Sequence, residues 1–414
     1  MRRKVALVMV HTSPLEQAGI GDAGGMNIYV IESAKRMAAM GVDVDIYTRK
    51  IDDAQPEIID FAEHIRIVHL NLPTGTKKEE IPSLIPALSL DFKTKVQGQG
   101  YSVIHSHYWI SGKIAMAAAK EFNIPLVHTM HTMARVKNLA LAEGESPEPM
   151  IRVQGESQIV EAADALIANT DAEAASLVSL YDACPDNVRV VAPGVDLYSF
   201  TAEGRDSRQK LNLDPKKLII SFVGRIQPHK GPEVLIRAVA EMVKHNPNLR
   251  ATLRAVIMGG ASGNGSKEPE KLKGLATFLG ISDVVQFMPP VLRDELSEWY
   301  RAADLVCVPS YSESFGLVAL EAQACGTPVV ATAVGGLRTA VADGISGSLV
   351  DGHDPRAWSA TILRLLLEPQ RRLLLSMGAV EHASHFGWDT TARGILDVYD
   401  QVLSQGKASH LNLA

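Results

Sequence analysis

The sequence predicts an α/β protein made of two doubly wound parallel-sheet domains, and three observations predict it. Short, continuously apolar runs recur along the chain, as in strands covered on both faces, and stretches of helical period separate them. The pattern restarts near Ile219, after an irregular Pro193-Gly-Val-Asp196. At 414 residues the chain also exceeds one ordinary domain.

Lys4 to Val10 reads as the first strand, and Met26 to Met40 as a helix with Met26, Val30, Ala34 and Met37 along one face. Gly41 stops that helix and Val42 to Thr48 forms the next strand. Further strands are expected at Ile65 to Leu70, Val103 to Ser106, Pro125 to Thr129 and Ala165 to Ala168. Beyond the crossing come Ile219 to Val223, Ala255 to Met258, and strands near Val306, Val329 and Ser348. Trp388 to Leu403 reads as a terminal helix and Ser404 to Ala414 as a tail. The expected division is residues 1–200, residues 201–387, and a closing segment 388–414.

The most telling stretch is Glu313-Ser-Phe-Gly316, followed by Glu321 and Gly326-Thr-Pro328. The apolar run before it is a strand, and Gly316 opens a helix that Gly326 and Pro328 close. Free N–H groups and the positive end of the helix dipole make its start suited to a pyrophosphate. Glu313 can then reach a sugar hydroxyl and Glu321 a ribose diol, although an ordinary helix start with a solvated Glu has the same pattern. A second loop, Gly224-Arg225-Ile-Gln-Pro-His-Lys230-Gly231, places two cations after another apolar strand. There they can neutralise a leaving diphosphate, the alternative being a pair of surface cations.

Gly19, Gly21, Gly24 and Gly25 follow the first strand without spelling Gly-x-Gly-x-x-Gly, which disfavours a hydride-transferring enzyme. Ligands of open α/β sheets bind beyond the carboxyl ends of the strands, so these loops point to a cleft between the domains. His105, His107, His128 and His131 sit at or after strand ends but lack further ligands in register for zinc. Asp43-Val-Asp45 lies within a strand and reads as solvated or structural.

A formal charge of −6 offers no footprint for nucleic acid. Cys184, Cys307 and Cys325 are too scattered for a disulfide framework or a thiolate metal site. Arg2-Arg-Lys4 before Val5 to Val10 mimics a signal peptide, but the apolar run is too short, and no run approaches a membrane span. A cytoplasmic protein without an integral membrane segment is expected.

Gly224-Arg225-x4-Lys230-Gly231, Glu313-x7-Glu321 and Gly335-Gly336 together resemble the retaining nucleotide-sugar glycosyltransferases of family 4, which have the GT-B fold. His11-Thr-Ser-Pro-Leu15, Gly21-Asp-Ala-Gly-Gly-Met-Asn27, His105-Ser-His-Tyr-Trp109 and His128-Thr-Met-His-Thr132 are similar to the D-inositol-3-phosphate glycosyltransferases that begin mycothiol biosynthesis. The resemblance runs nearly end to end. It implies two Rossmann-like domains facing across a cleft, with the terminal helix returning to the first. It further implies transfer of N-acetylglucosamine from UDP-GlcNAc to 1D-myo-inositol 3-phosphate, by a homodimer.

Carried over position by position, the resemblance assigns Arg225 and Lys230 to the diphosphate, Glu313 to the transferred sugar and Glu321 to the ribose. Gln17, Ala18 and Gly25 match further donor contacts, and Val291 falls where a backbone group meets uracil. His11, Asp22, Ala23, Gly24, Gly25, Met26, Asn27, Lys78, Tyr108, Thr132 and Arg152 fall on acceptor positions, and His131 helps orient the donor. The resemblance also implies a magnesium ion near Tyr300, Arg301, Ala303 and Thr327, with no cofactor required for the chemistry. Rival readings are a family 4 enzyme with another sugar-phosphate or lipid acceptor and a catalytically silent nucleotide-binding module.

Overall fold

The computed structural model describes residues 2–16, 23–141, 146–204, 206–261 and 267–411, with the side chains of 406–411 excepted. The first sheet contains β1 (Arg3–Val8), β2 (Val42–Thr48), β3 (Ile58–Ala62), β4 (Ile65–His69), β5 (Val103–His107), β6 (Leu126–Thr129), β7 (Ala165–Ala168) and β8 (Val188–Val190). Their spatial order is β3-β4-β2-β1-β5-β6-β7-β8. The second contains β9 (Leu218–Val223), β10 (Leu253–Met258), β11 (Val285–Met288), β12 (Leu305–Val308), β13 (Val329–Thr332) and β14 (Gly347–Val350), ordered β11-β10-β9-β12-β13-β14. Every pairing is parallel except β3 with β4.

The uninterrupted apolar runs are what burial on both faces demands: β5, β6, β7, β12 and β13 are buried at every residue. β3 has only part-buried and exposed residues in alternation, as an antiparallel edge allows, and that weaker pattern escaped the sequence reading. The short β8 and β11 escaped it too.

Strand order reverses beside β1, which has β2 on one side and β5 on the other, and again beside β9, flanked by β10 and β12. Reversals of this kind open a crevice at the carboxyl ends of the strands. The segments leaving β1, β5, β9 and β12 carry His11, Tyr108, Arg225 and Glu313.

The final helix, Trp388–Leu411, runs longer than expected, so residues 404–411 are not a tail. Its buried Trp388, Ile395, Val398 and Tyr399 join one core with Val5, Leu7 and Met37. The chain crosses between the sheets close to the start of this helix. A Cβ on Gly194 would lie 2.5 Å from the backbone nitrogen of Trp388.

Candidate active site

A cavity of about 670 Å³ lies between the loops of the two sheets, with His11, Lys78 and Arg152 on one side and Arg225, Lys230 and Glu313 on the other. Two helix starts meet there. A Cβ on Gly25, which opens the helix Gly25–Ala39, would stand 3.3 Å from Leu317 Cδ1, which opens the helix Leu317–Ala324. The first N–H groups of a helix have no partner within it and its start is the positive dipole end, so an anion between the two starts gains from both. Gly24 faces Arg225, with 3.5 Å from its would-be Cβ to Nε.

Gly316 has φ +104°, a left-handed conformation that L side chains avoid, and this sharp turn sets the second helix start. Behind it, the N–H of Gly336 donates to the carbonyl of Glu313 at 2.9 Å. A Cβ on Gly336 would come within 2.2 Å of the Ser314 carbonyl, so the glycine pair lets the two loops pack directly.

Lys230 Nζ donates to Glu313 Oε2 at 2.6 Å. Burial alone would push the Glu313 carboxyl up, but the Lys230 ammonium beside it, with His229 and the Ser310 hydroxyl, holds it below its ordinary value. Glu321 differs: burial pushes its carboxyl up to about 7, although the Tyr300 hydroxyl donates to it at 2.9 Å.

The opposite wall carries Lys78 and Arg152 beside His11. His11 is held neutral, well below its usual range, first by burial and then by Lys78, Arg225, Arg152 and Arg49. Arg152 is buried, stacks 4.9 Å from the centre of the Tyr108 ring, and donates to the Thr132 hydroxyl at 2.9 Å. It also pairs with Glu148 at 2.9 Å and Glu156 at 2.7 Å. These partners sit four residues on either side of it in the sequence, a spacing the sequence reading passed over. Lys78 forms no ion pair among the described residues.

Gly24, Gly25, Met26, Tyr108, Thr132 and His131 also line the cavity, as do Val291 and Tyr300. Ala23 is fully buried, and Asn27 is spent on holding the loop: its amide donates to the Ser13 carbonyl at 2.7 Å and accepts from Gly24 N–H at 3.0 Å. Asn27 therefore acts through its neighbours. Gln17, Ala18 and Asp22, with Gly19 and Gly21, lie outside the described residues. Asn169 and Glu173 line the cavity and were missed, because neither belongs to a spaced motif.

Of the four residues expected near magnesium, Thr327 donates its hydroxyl to the Tyr300 carbonyl at 2.6 Å. Arg301 instead braces the loop before the second sheet through the Thr201 carbonyl at 2.9 Å and pairs with Glu298 at 3.0 Å. Asp45 is structural: it takes both Arg66 contacts, at 2.7 and 2.6 Å, within the first sheet.

Residues 23–198 match the family described as Glycosyltransferase Family 4, and residues 204–379 the one described as Glycosyl transferases group 1. A sucrose-phosphate synthase from Thermosynechococcus elongatus superposes with a TM-score of 0.89 at 32% identity, covering 98% of this chain and all of that one (100%). Anabaena HepE in complex with UDP shares the fold at a TM-score of 0.75 and 20% identity, covering 96% of this chain and 100% of its own. Fold and matched families thus define a glycosyltransferase with two parallel-sheet α/β domains, the GT-B architecture. The D-inositol 3-phosphate glycosyltransferase of Thermobispora bispora is 50% identical over 97% of this chain and 95% of its own length, and that of Actinosynnema mirum 49% over 96% and 97%. The chain belongs to the D-inositol 3-phosphate glycosyltransferase family.

Proposed function

We propose that the protein transfers N-acetylglucosamine from UDP-GlcNAc to 1D-myo-inositol 3-phosphate with retention of configuration, the opening step of mycothiol biosynthesis. The observation that carries this reading is the pairing of two anion sites in one cavity: Arg225 and Lys230 with two helix starts on one side, Lys78 and Arg152 on the other. A nucleotide diphosphate suits the first and a phosphomonoester the second.

In this reading the diphosphate lies between the helix starts, against Arg225 and Lys230. Glu321, fixed by the Tyr300 hydroxyl, accepts the ribose hydroxyls, and the backbone at Val291 meets the uracil. Glu313, His131 and Gly25 flank the transferred sugar, and Gln17 and Ala18, outside the described residues, join the donor site by the sequence resemblance alone. His11, Tyr108, Thr132, Gly24, Gly25 and Met26 position the inositol, with Ala23 and Asn27 behind them, and Asp22, outside the described residues, is assigned there by the sequence resemblance alone. Glu313 pairs with Lys230, and in this reading it holds the sugar and forms no covalent intermediate. The acceptor hydroxyl attacks from the face the diphosphate leaves, and a diphosphate oxygen takes its proton. Lys230 and the helix dipole stabilise the charge that grows on that oxygen.

The division at residues 200 and 387 belongs to the same proposal, supported by the position of the crossing between the sheets. So does a magnesium ion on oxygens of Tyr300, Arg301, Ala303 and Thr327. Such an ion would have to displace the Thr327 hydroxyl from the Tyr300 carbonyl, which accepts from it at 2.6 Å, and would then brace the end of the helix Arg293–Ala302. A homodimer would cover the exposed apolar row Leu373, Leu374 and Met377. We place the activity in the cytoplasm, in keeping with cysteines that form no disulfide among the described residues.

A panel of UDP- and GDP-sugars tested against inositol phosphates, other sugar phosphates and free inositol, with NMR of the product, tests this function. Preference for UDP-GlcNAc and inositol 3-phosphate with an α-linked product is expected. Preference for another phosphorylated acceptor would favour the reading suggested by the likeness to sucrose-phosphate synthase.

A further inference from the structure

Behind His131 lies a layer of buried histidines, His107 and His105, that the proposed reaction leaves without a task. His107 closes β5 and is 1% exposed, whereas His131, in the loop after β6, borders the cavity. Their rings are joined, with His107 Nδ1 3.0 Å from His131 Nε2. His131 is held hard from both sides. Its backbone has φ +60°, a conformation rare outside glycine, and its carbonyl accepts a hydrogen bond from the Ser314 hydroxyl, beside Glu313 on the opposite loop.

Burial keeps both rings neutral: His131 is pushed down to about 3, and His107 falls well below its usual range by burial and by the neighbouring His105, His131 and His128. A neutral imidazole carries one proton, so one ring of the pair donates and the other accepts. His107 Nε2 decides which. It is buried and has no hydrogen-bond partner among the described residues. A proton there would make it an orphaned buried N–H, which is rarer and more costly than an orphaned lone pair. The proton of His107 therefore belongs on Nδ1, where it is donated to His131 Nε2. His131 must then carry its own proton on Nδ1.

We infer that His107 is a positioning residue that locks His131 in its Nδ1–H tautomer, so that the side chain meets the transferred sugar as a hydrogen-bond donor opposite the accepting carboxylate of Glu313. This rests on the proposed placement of the sugar between His131 and Glu313. A donor and an acceptor on opposite sides read the direction of hydroxyl hydrogen bonds as well as their position. His105 supports the layer from behind, with Nδ1 2.8 Å from the Tyr399 hydroxyl and Nε2 2.9 Å from the Thr129 hydroxyl.

The test uses the full-length protein and two kinds of measurement. Nitrogen-resolved imidazole NMR, assigned with His131→Ala, should show the Nδ1–H form of His131 in the wild type and lose that preference in His107→Leu. Donor Kd should rise about tenfold in His107→Leu, as for a misdirected hydrogen bond. His107→Asn, whose amide can donate from a position near Nδ1, should recover most of that loss. For UDP-sugars altered one hydroxyl at a time, the wild type should hold one deoxyfluoro sugar better than its deoxy counterpart, because fluorine still accepts, and His107→Leu should abolish the difference. An Nε2–H His131 in the wild type, or a His107→Leu protein with unchanged tautomer and donor Kd, overturns the inference while leaving His131 beside the sugar. Unchanged donor Kd and kcat in His131→Ala overturns both the inference and the placement on which it rests.

Discussion

Lys230 and Glu313 come from two motifs 83 residues apart on one side of the cavity, and they meet as an ion pair with 2.6 Å between Nζ and Oε2. The pair gives each residue a second duty. Lys230 keeps the Glu313 carboxyl charged in a buried place, and in the proposed reaction Glu313 in turn holds the ammonium at the diphosphate, where charge develops. Lys230→Ala should therefore lower kcat at least ~100-fold, since the lost interaction strengthens only as the bond breaks. Lys230→Arg, which keeps the charge but not its shape, should fall between the two. Steady-state kinetics with UDP-GlcNAc decide, and near-normal turnover of the alanine variant would remove Lys230 from the mechanism.

The same pair bears on acid stability. The folded-state pKa of Glu313 is depressed, so the stabilisation from its charged form is present above the ordinary carboxylate pKa and is lost as pH falls through the depressed value. In Glu313→Gln that contribution should be missing. Thermal denaturation between pH 7 and 3, run on both proteins, should show the wild type losing its margin over the variant as the pH drops.

Lys78 is the cleaner probe of the proposed acceptor site than Arg152. Arg152 is bound to Glu148 and Glu156, and Glu156 is fully buried, so Arg152→Ala strands a carboxylate and is expected to cost several kcal/mol of stability, about 3–5 in comparable buried pairs. Lys78→Ala leaves no such partner. Losing one charge-assisted hydrogen bond costs roughly 1.5–3 kcal/mol, so the KM for inositol 3-phosphate should rise by about one to two orders of magnitude. The donor KM and Tm should barely move. Selective damage to donor binding instead would place Lys78 in the wrong subsite.

How much of this was legible in the sequence follows from the range of the forces involved. Continuous apolar runs announced the buried strands, and the spacing of Arg225, Lys230, Glu313 and Glu321 marked one wall of the cavity, because each motif is local to one loop. What escaped depends on the folded chain. Arg49, at the end of β2, touches the electrostatics of His11 only across the sheet, and no local pattern announces it. The Lys230–Glu313 contact spans 83 residues and joins two loops whose packing needs Gly335 and Gly336. The extension of the last helix beyond Leu403 was missed because its polar composition resembles a tail.

Chelation offers a further check. In the proposed reaction a magnesium ion near Tyr300 and Thr327 only braces the fold, and Arg225, Lys230 and the helix starts meet the leaving-group charge. Prolonged dialysis against EDTA should therefore leave most of the activity and lower Tm by a few degrees. Complete loss of turnover, restored by one divalent ion, would overturn the cation-and-dipole account of the leaving group.

Glu321 supplies the last prediction, because burial pushes its carboxyl up to about 7. The charged form can accept both ribose hydroxyls, whereas a protonated carboxyl spends one oxygen as a donor. If only the ionised form binds the ribose well, the donor KM should be nearly flat above pH 8 and rise roughly tenfold between pH 8 and pH 6. The folding equilibrium runs the other way. A carboxyl whose folded pKa is raised gives stability that is fully present below its unfolded value, near 4.5, and is lost as pH rises through about 7, so the charge that improves binding is the charge that strains the fold. Glu321→Gln should separate the two, with a donor KM that is high at every pH and a Tm that no longer declines between pH 5 and 8. A wild-type donor KM independent of pH across this range would show that Glu321 does not hold the ribose.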